Sequence, residues 1–99
     1  MSWEDDHRRR VAALPHDVRE AHAHSSNHRV EIAQSTLCGC FYCGSRFSPA
    51  EIVEWVHEDP DGRGQTALCP KCGIDSVISD KSGFDPSPAF LARMKAYWF

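Results

Sequence analysis

Leu37-Cys38-Gly39-Cys40-Phe41-Tyr42-Cys43-Gly44-Ser45-Arg46-Phe47 and Ala67-Leu68-Cys69-Pro70-Lys71-Cys72-Gly73-Ile74 are two versions of one local design. Both contain Cys-x-x-Cys-Gly, and 25 residues separate Cys43 from Cys69. A single pair of this kind is a weak signal. Two in a short chain point to one tetrahedral site with four thiolate ligands, the arrangement typical of structural zinc. Cysteines three positions apart in a tight turn can place both sulfurs about 2.3 Å from one cation. The glycine that follows suits a backbone at positive φ, where a side chain would clash. Amides exposed in such turns donate to the thiolates and spread their charge. Pro70 removes one amide from the second turn and stiffens it. The expected ligands are therefore Cys40, Cys43, Cys69 and Cys72, holding a structural Zn2+.

The rest of the composition agrees with a small stapled domain. At 99 residues there is room for one domain and a modest core, and structural metal is one of the usual ways to stabilise so short a chain. Five cysteines cannot all pair within the chain. The acidic opening Met1-Ser2-Trp3-Glu4-Asp5-Asp6 lacks the basic start of a secretory signal, and no apolar run approaches a membrane span. A reducing cytoplasm is the expected setting, with no membrane association. The formal net charge is −3. Four thiolates around one divalent cation add two further negative charges, for a formal total of −5. Broad electrostatic capture of nucleic acid is thereby disfavoured, since it depends on clustered Lys and Arg. A protein partner fits this balance better, with nucleic acid as the rival.

Residues 1–26 read as a polar helical arm. Ser2 caps a first helix with acidic residues early and Arg8, Arg9 and Arg10 later, in the order the helix dipole favours. The triple arginine reads as a solvated face. His16 to His24 reads as a second short helix; His22 and His24, two apart, point to different faces of it, so a solvated histidine cluster is preferred to a second metal site. Ser25-Ser26-Asn27 then precedes a third helix, His28 to Gln34, whose Val30 and Ile32 are too few to hold it without the zinc half.

Residues 27–99 read as the four-cysteine zinc domain. Cys38 lacks the paired spacing and reads as a buried free thiol. Phe41, Tyr42 and Phe47 read as a small core around the metal. Ser48-Pro49-Ala50-Glu51 carries a capping box with proline at the first helical position, which predicts a helix bearing Ile52, Val53, Trp55 and Val56. His57 to Gly64 reads as an exposed turn, and Gln65 to Leu68 as a strand. Ile74 to Ile78 reads as a strand or one helical turn, followed by a turn at Asp80 to Gly83. Ser87-Pro88 starts a last helix whose Phe90, Leu91, Met94, Tyr97 and Trp98 recur at helical spacing. That face is expected to cover the zinc module. The fold class is small α+β: a β-hairpin element holding zinc, with helices packed around it.

The paired turns resemble a zinc ribbon, with a treble clef as the alternative, in which the second pair opens a helix. Cys38-Gly39-Cys40-Phe41-Tyr42-Cys43, Thr66-Ala67-Leu68-Cys69-Pro70 and Cys72-Gly73-Ile74-Asp75-Ser76-Val77-Ile78 also resemble a family of small, uncharacterised bacterial cytoplasmic proteins. The likeness runs from about Asn27 to Phe99. It implies the four-cysteine fold and no particular activity.

Three functional classes follow. A closed thiolate shell leaves no place for the water a zinc hydrolase needs, which favours a non-enzymatic interaction module. The alternative is a metal-dependent nuclease of the HNH or His-Cys type on a treble clef. It would use His28 or His57 with Asp75, although no HNH-like spacing is present. A redox role for the cysteine pairs lacks the strand, motif and long helix of a thioredoxin-type site.

Overall fold

The structure, a computed structural model, describes residues 15–99. The first helix expected from Ser2 through Arg10 lies outside the described residues. Within them, one strand divides the molecule. β1 (Cys38–Cys40) is the centre of a three-stranded antiparallel sheet, flanked by β2 (Arg46–Phe47) and β5 (Val77–Ser79). Cys38 faces Phe47 on one neighbour and Ser79 on the other, while Cys40 faces Val77.

Successive side chains of a strand point to opposite faces, and that alternation creates two cores. Cys38, Cys40 and Val77 look one way, into a cluster with Ile32, Phe47, Ile52, Ala67 and Cys69. Phe41 and Ile78 belong to the opposite cluster, with Val18, Ala21, Leu91 and Met94. Between them sits Gly39, where an added Cβ would lie 2.8 Å from Leu91 Cδ1 and 3.0 Å from Pro86 Cβ. Only a residue without a side chain lets a helix settle this close to the strand.

That helix is α3 (Pro88–Trp98), as the Ser87-Pro88 start predicts. The Ser87 hydroxyl accepts the Phe90 amide at 3.2 Å and caps it. Leu91 and Met94 are buried, and Tyr97 is exposed. The helix docks on the sheet without entering the cluster that holds the thiols. It packs on the other face of the sheet, beside α1 (His16–Ala23), whose Val18 and Ala21 are three apart on one side. Trp98 Nε1 donates to the Val18 carbonyl at 3.2 Å, and Arg93 pairs with Asp17.

The segment after β2 also departs from expectation. The capping box at Ser48 forms, with the Ser48 amide donating to the Glu51 carboxylate at 2.8 Å. Yet the helix ends after one 3-10 turn, Pro49–Glu51, and Ile52 is already extended at ψ 122°. Ile52, Val53 and Val56 are β-branched and Trp55 is aromatic, types that favour a pleated surface. Ile52 joins the thiol-side core instead of a helical stripe. The chain continues as β3 (Trp55–Glu58), paired antiparallel with β4 (Gly64–Ala67) around an exposed turn. The strand expected near Gln65 to Leu68, the turn at Asp80 and the short helix after Asn27 are all present.

That short helix, α2 (Arg29–Ala33), has a single buried apolar residue, Ile32, and is held from outside. The His28 amide donates to the Gln65 carbonyl at 2.8 Å, and the Ala67 amide donates to His28 Nε2 at 3.0 Å. The Asn27 amide reaches Thr66 Oγ1 at 2.9 Å, and the Arg29 guanidinium donates to the Gly64 carbonyl at 2.7 Å. The bonds at Gln65 and Ala67 satisfy backbone groups of β4 that point away from β3.

Candidate metal centre

Each cysteine turn closes on itself in the same way. In the first, the Cys40 amide donates to the Ser45 carbonyl at 2.9 Å and the Gly44 amide to the Cys40 carbonyl at 2.8 Å. In the second, Cys69 donates to Ile74 at 3.0 Å and Gly73 to Cys69 at 2.9 Å. Gly44 and Gly73 both have φ +79°, the left-handed conformation that glycine adopts without steric cost. Both glycines thus take the positive φ that the sequence reading expects of them. Short-range bonding thus positions each pair of sulfurs within its own turn.

The turns do meet. The sulfurs of Cys40, Cys43, Cys69 and Cys72 all lie within 4.8 Å of one another. Cys40 Sγ is 3.7 Å from Cys72 Sγ, and Cys43 Sγ is 3.7 Å from Cys69 Sγ. A tetrahedron with metal–sulfur bonds of 2.3 Å has edges of about 3.8 Å, so these two cross-turn edges already match it. The four side chains could hold a metal ion. Among the described residues no other group of three or more His, Cys, Asp or Glu side chains is close enough to do so.

A backbone amide donates to one sulfur of each pair. The Tyr42 amide donates to Cys40 Sγ at 3.4 Å, and the Lys71 amide to Cys69 Sγ at 3.3 Å. Pro70 costs the second turn none of these. Its counterpart Phe41 donates outside the turn, to the Ser76 carbonyl at 3.0 Å. One hydroxyl adds to the first turn alone: Ser76 Oγ lies 3.0 Å from Cys40 Sγ in a buried position. Ser76 is not legible in the sequence as a neighbour of Cys40, because only the pairing of β1 with β5 brings it there.

Without metal, protons are unevenly held. Burial pushes the Cys40 thiol up despite the Ser76 hydrogen bond. Burial, with contacts to Cys40 and Cys69, raises Cys72 to about 12. Burial of its sulfur also works against ionising Cys43, but the Ser45 hydroxyl and amide and the neighbouring thiols outweigh it and bring the group down to about 7. A cation entering at neutral pH therefore displaces protons from Cys40 and Cys72, and acid weakens its hold.

The other nominated residues are placed elsewhere. Cys38 is buried on the thiol-side face of β1, 3.6 Å from Ser35 Oγ, and its thiol is pushed up by burial; it is not among the clustered four. Phe47 lines the metal-side core, whereas Phe41 belongs to the opposite one and Tyr42 is 40% exposed. The expected aromatic shell is thus split, because neighbouring residues face opposite ways. His22 stacks on Trp98 at 3.8 Å between ring centroids, and His24 Nδ1 lies 2.9 Å from a Glu31 carboxylate oxygen. They do not converge. His28 donates from Nδ1 to the His24 carbonyl at 2.6 Å while Nε2 accepts from Ala67, so both ring nitrogens are occupied. His57 Nδ1 is 2.9 Å from Thr66 Oγ1, and Asp75 is exposed. No helix among the described residues is long and apolar enough to cross a membrane.

Compared with models of known families, with curated proteins and with solved structures, the chain matches none.

Proposed function

We propose that this chain is a non-enzymatic zinc-binding module whose four-cysteine site is structural and whose role is to present a surface to a protein or nucleic-acid partner. One observation carries the reading: four sulfurs from two matching turns lie within 4.8 Å, with cross-turn edges of 3.7 Å. Four thiolates complete a tetrahedral shell, so no position is left for a reactive water. Zinc is the cation that best suits four thiolates in this geometry and takes no part in electron transfer.

The arrangement is of zinc-ribbon type. A treble clef would begin a helix at the second pair, whereas here the chain after Cys72 runs into the strand Val77–Ser79. The proposed kinship with small bacterial cytoplasmic proteins rests on the same turns and the segment that follows them. Unbridged cysteines suit a reducing cytoplasm. A formal charge of −3 before metal uptake favours a protein partner over nucleic acid. Tyr42 and Phe99, edge to face at 4.9 Å with Phe99 62% exposed, offer it an aromatic contact.

Elemental analysis of protein purified without added metal tests the reading. One zinc per chain, lost together with folded structure on chelation, is the expected result. A chain that folds fully without metal overturns it. Co-purification from native cells, repeated with F99S, then identifies the partner and whether this aromatic pair holds it.

A further inference from the structure

The four thiols differ in access. Cys40 and Cys69 are buried at 0% and 3% exposure, Cys72 is half-buried, and Cys43 alone is exposed. Cys43 also faces a specific neighbour, Cys69 Sγ at 3.7 Å across the two turns. Resting on the zinc reading above, we infer that Cys43 is an oxidation site, at which a hydroperoxide releases the metal by linking Cys43 to Cys69.

The chemistry balances with the peroxide as the only oxidant. The Cys43 thiolate attacks one oxygen of hydrogen peroxide; the S–O bond forms, the O–O bond breaks and hydroxide leaves. The Cys69 thiolate then attacks the sulfenic sulfur, the S–S bond forms and a second hydroxide leaves. Two thiolates lose two electrons, the peroxide gains them, and solvent protons convert both hydroxides to water. A cation deprived of two of its four ligands is no longer enclosed. Cys40 is a poorer second partner, because the buried Ser76 hydroxyl 3.0 Å away draws on the charge with which it would attack.

The cross-turn link has a consequence that a link within one turn lacks. It joins the two turns and closes the chain from Cys43 to Cys69, so the turns stay together after the ion has gone. Release is then reversible: a dithiol reductant and zinc restore the site.

The test uses the zinc-loaded full chain and hydrogen peroxide, with a chromogenic chelator reporting free zinc. Expected are one zinc released per two thiols lost, a Cys43–Cys69 linked peptide on mass spectrometry, and recovery with dithiothreitol and zinc. C38S, which removes the fifth thiol, is expected to behave alike. A Cys40–Cys43 or Cys69–Cys72 link, a link through Cys38, or thiol loss with zinc retained overturns the inference. Purified protein that contains no zinc at the outset overturns the reading it rests on instead.

Discussion

The two faces of the three-stranded sheet are built on different principles, although they share a strand only three residues long. On one face Cys38, Cys40, Cys69 and the half-buried Cys72 pack among Ile32, Phe47, Ile52 and Val77. On the other, Leu91, Met94, Ile78, Val18 and Phe41 make an aliphatic and aromatic core under two helices. The first face adds to its buried side chains a set of sulfurs placed so that they could hold a metal ion. The second uses ordinary burial, worth roughly 25 cal/mol per Å² of apolar surface. A small domain can therefore divide its stability between two chemistries on either side of one backbone.

Breaking the four-cysteine cluster has the largest expected effect. Structural zinc in small domains contributes on the order of 10–16 kcal/mol of apparent binding free energy, coupled to folding. Chelation, or Cys72→Ser, is expected to abolish the cooperative thermal transition measured by circular dichroism. Hydrogen exchange sharpens the comparison: amides of β1 and the cysteine turns lose protection first, and α3 follows only if the two cores form one cooperative unit.

Leu91→Ala strikes the other face. A fully buried leucine truncated in a packed core costs about 2–5 kcal/mol, so denaturant melts of the zinc-loaded variant should shift by that amount. Zinc stoichiometry should stay unchanged. A loss of zinc on this substitution would mean that the faces are not independent.

His28 stitches α2 to β4 and supplies a smaller, pH-dependent effect. It accepts the Ala67 amide, which requires a neutral ring, and burial holds its pKa below the ordinary 6.5. The unfolded chain takes up the proton more readily than the folded one. The contribution is therefore complete above pH 6.5 and declines below it, by up to about 1.4 kcal/mol per pH unit. Acid also strips the thiolates, so the measurement is the difference in slope between wild type and H28Q across roughly pH 5 to 7. Equal slopes would show that His28 does not titrate on unfolding.

The smallest effect belongs to the exposed Asp17–Arg93 pair between α1 and α3. Its hydrogen bond from Arg93 holds Asp17 below 3.8, so its contribution is present at neutral pH and disappears as pH falls through that lower value. D17N should leave the melting curve at neutral pH almost unmoved, as is usual for solvent-exposed ion pairs.

How much of this is legible in the sequence depends on the range of the forces involved. The cysteine turns are readable because spacing and glycine specify them within a few residues. The last helix is readable from Ser87-Pro88 and a periodic apolar face. What it packs against is not, because periodicity states that a face is buried and not by what. The Ser48 segment misleads for a related reason. Its cap is correct and forms, but the β-branched residues after Glu51 and the pairing with β4 outweigh a local start signal. Ser76 beside Cys40, and His28 beneath Ala67, come from strand pairing and loop docking, and no short-range pattern announces either.

Gly39 makes the partition between the two halves one peptide thick. Leu91 rests directly on that backbone, and the next residue along is Cys40. A side chain added at Gly39 would push the last helix off the sheet and disturb the strand that carries Cys40, whereas trimming Leu91 from the far side leaves that strand in place. The absent side chain turns a wall into a diaphragm.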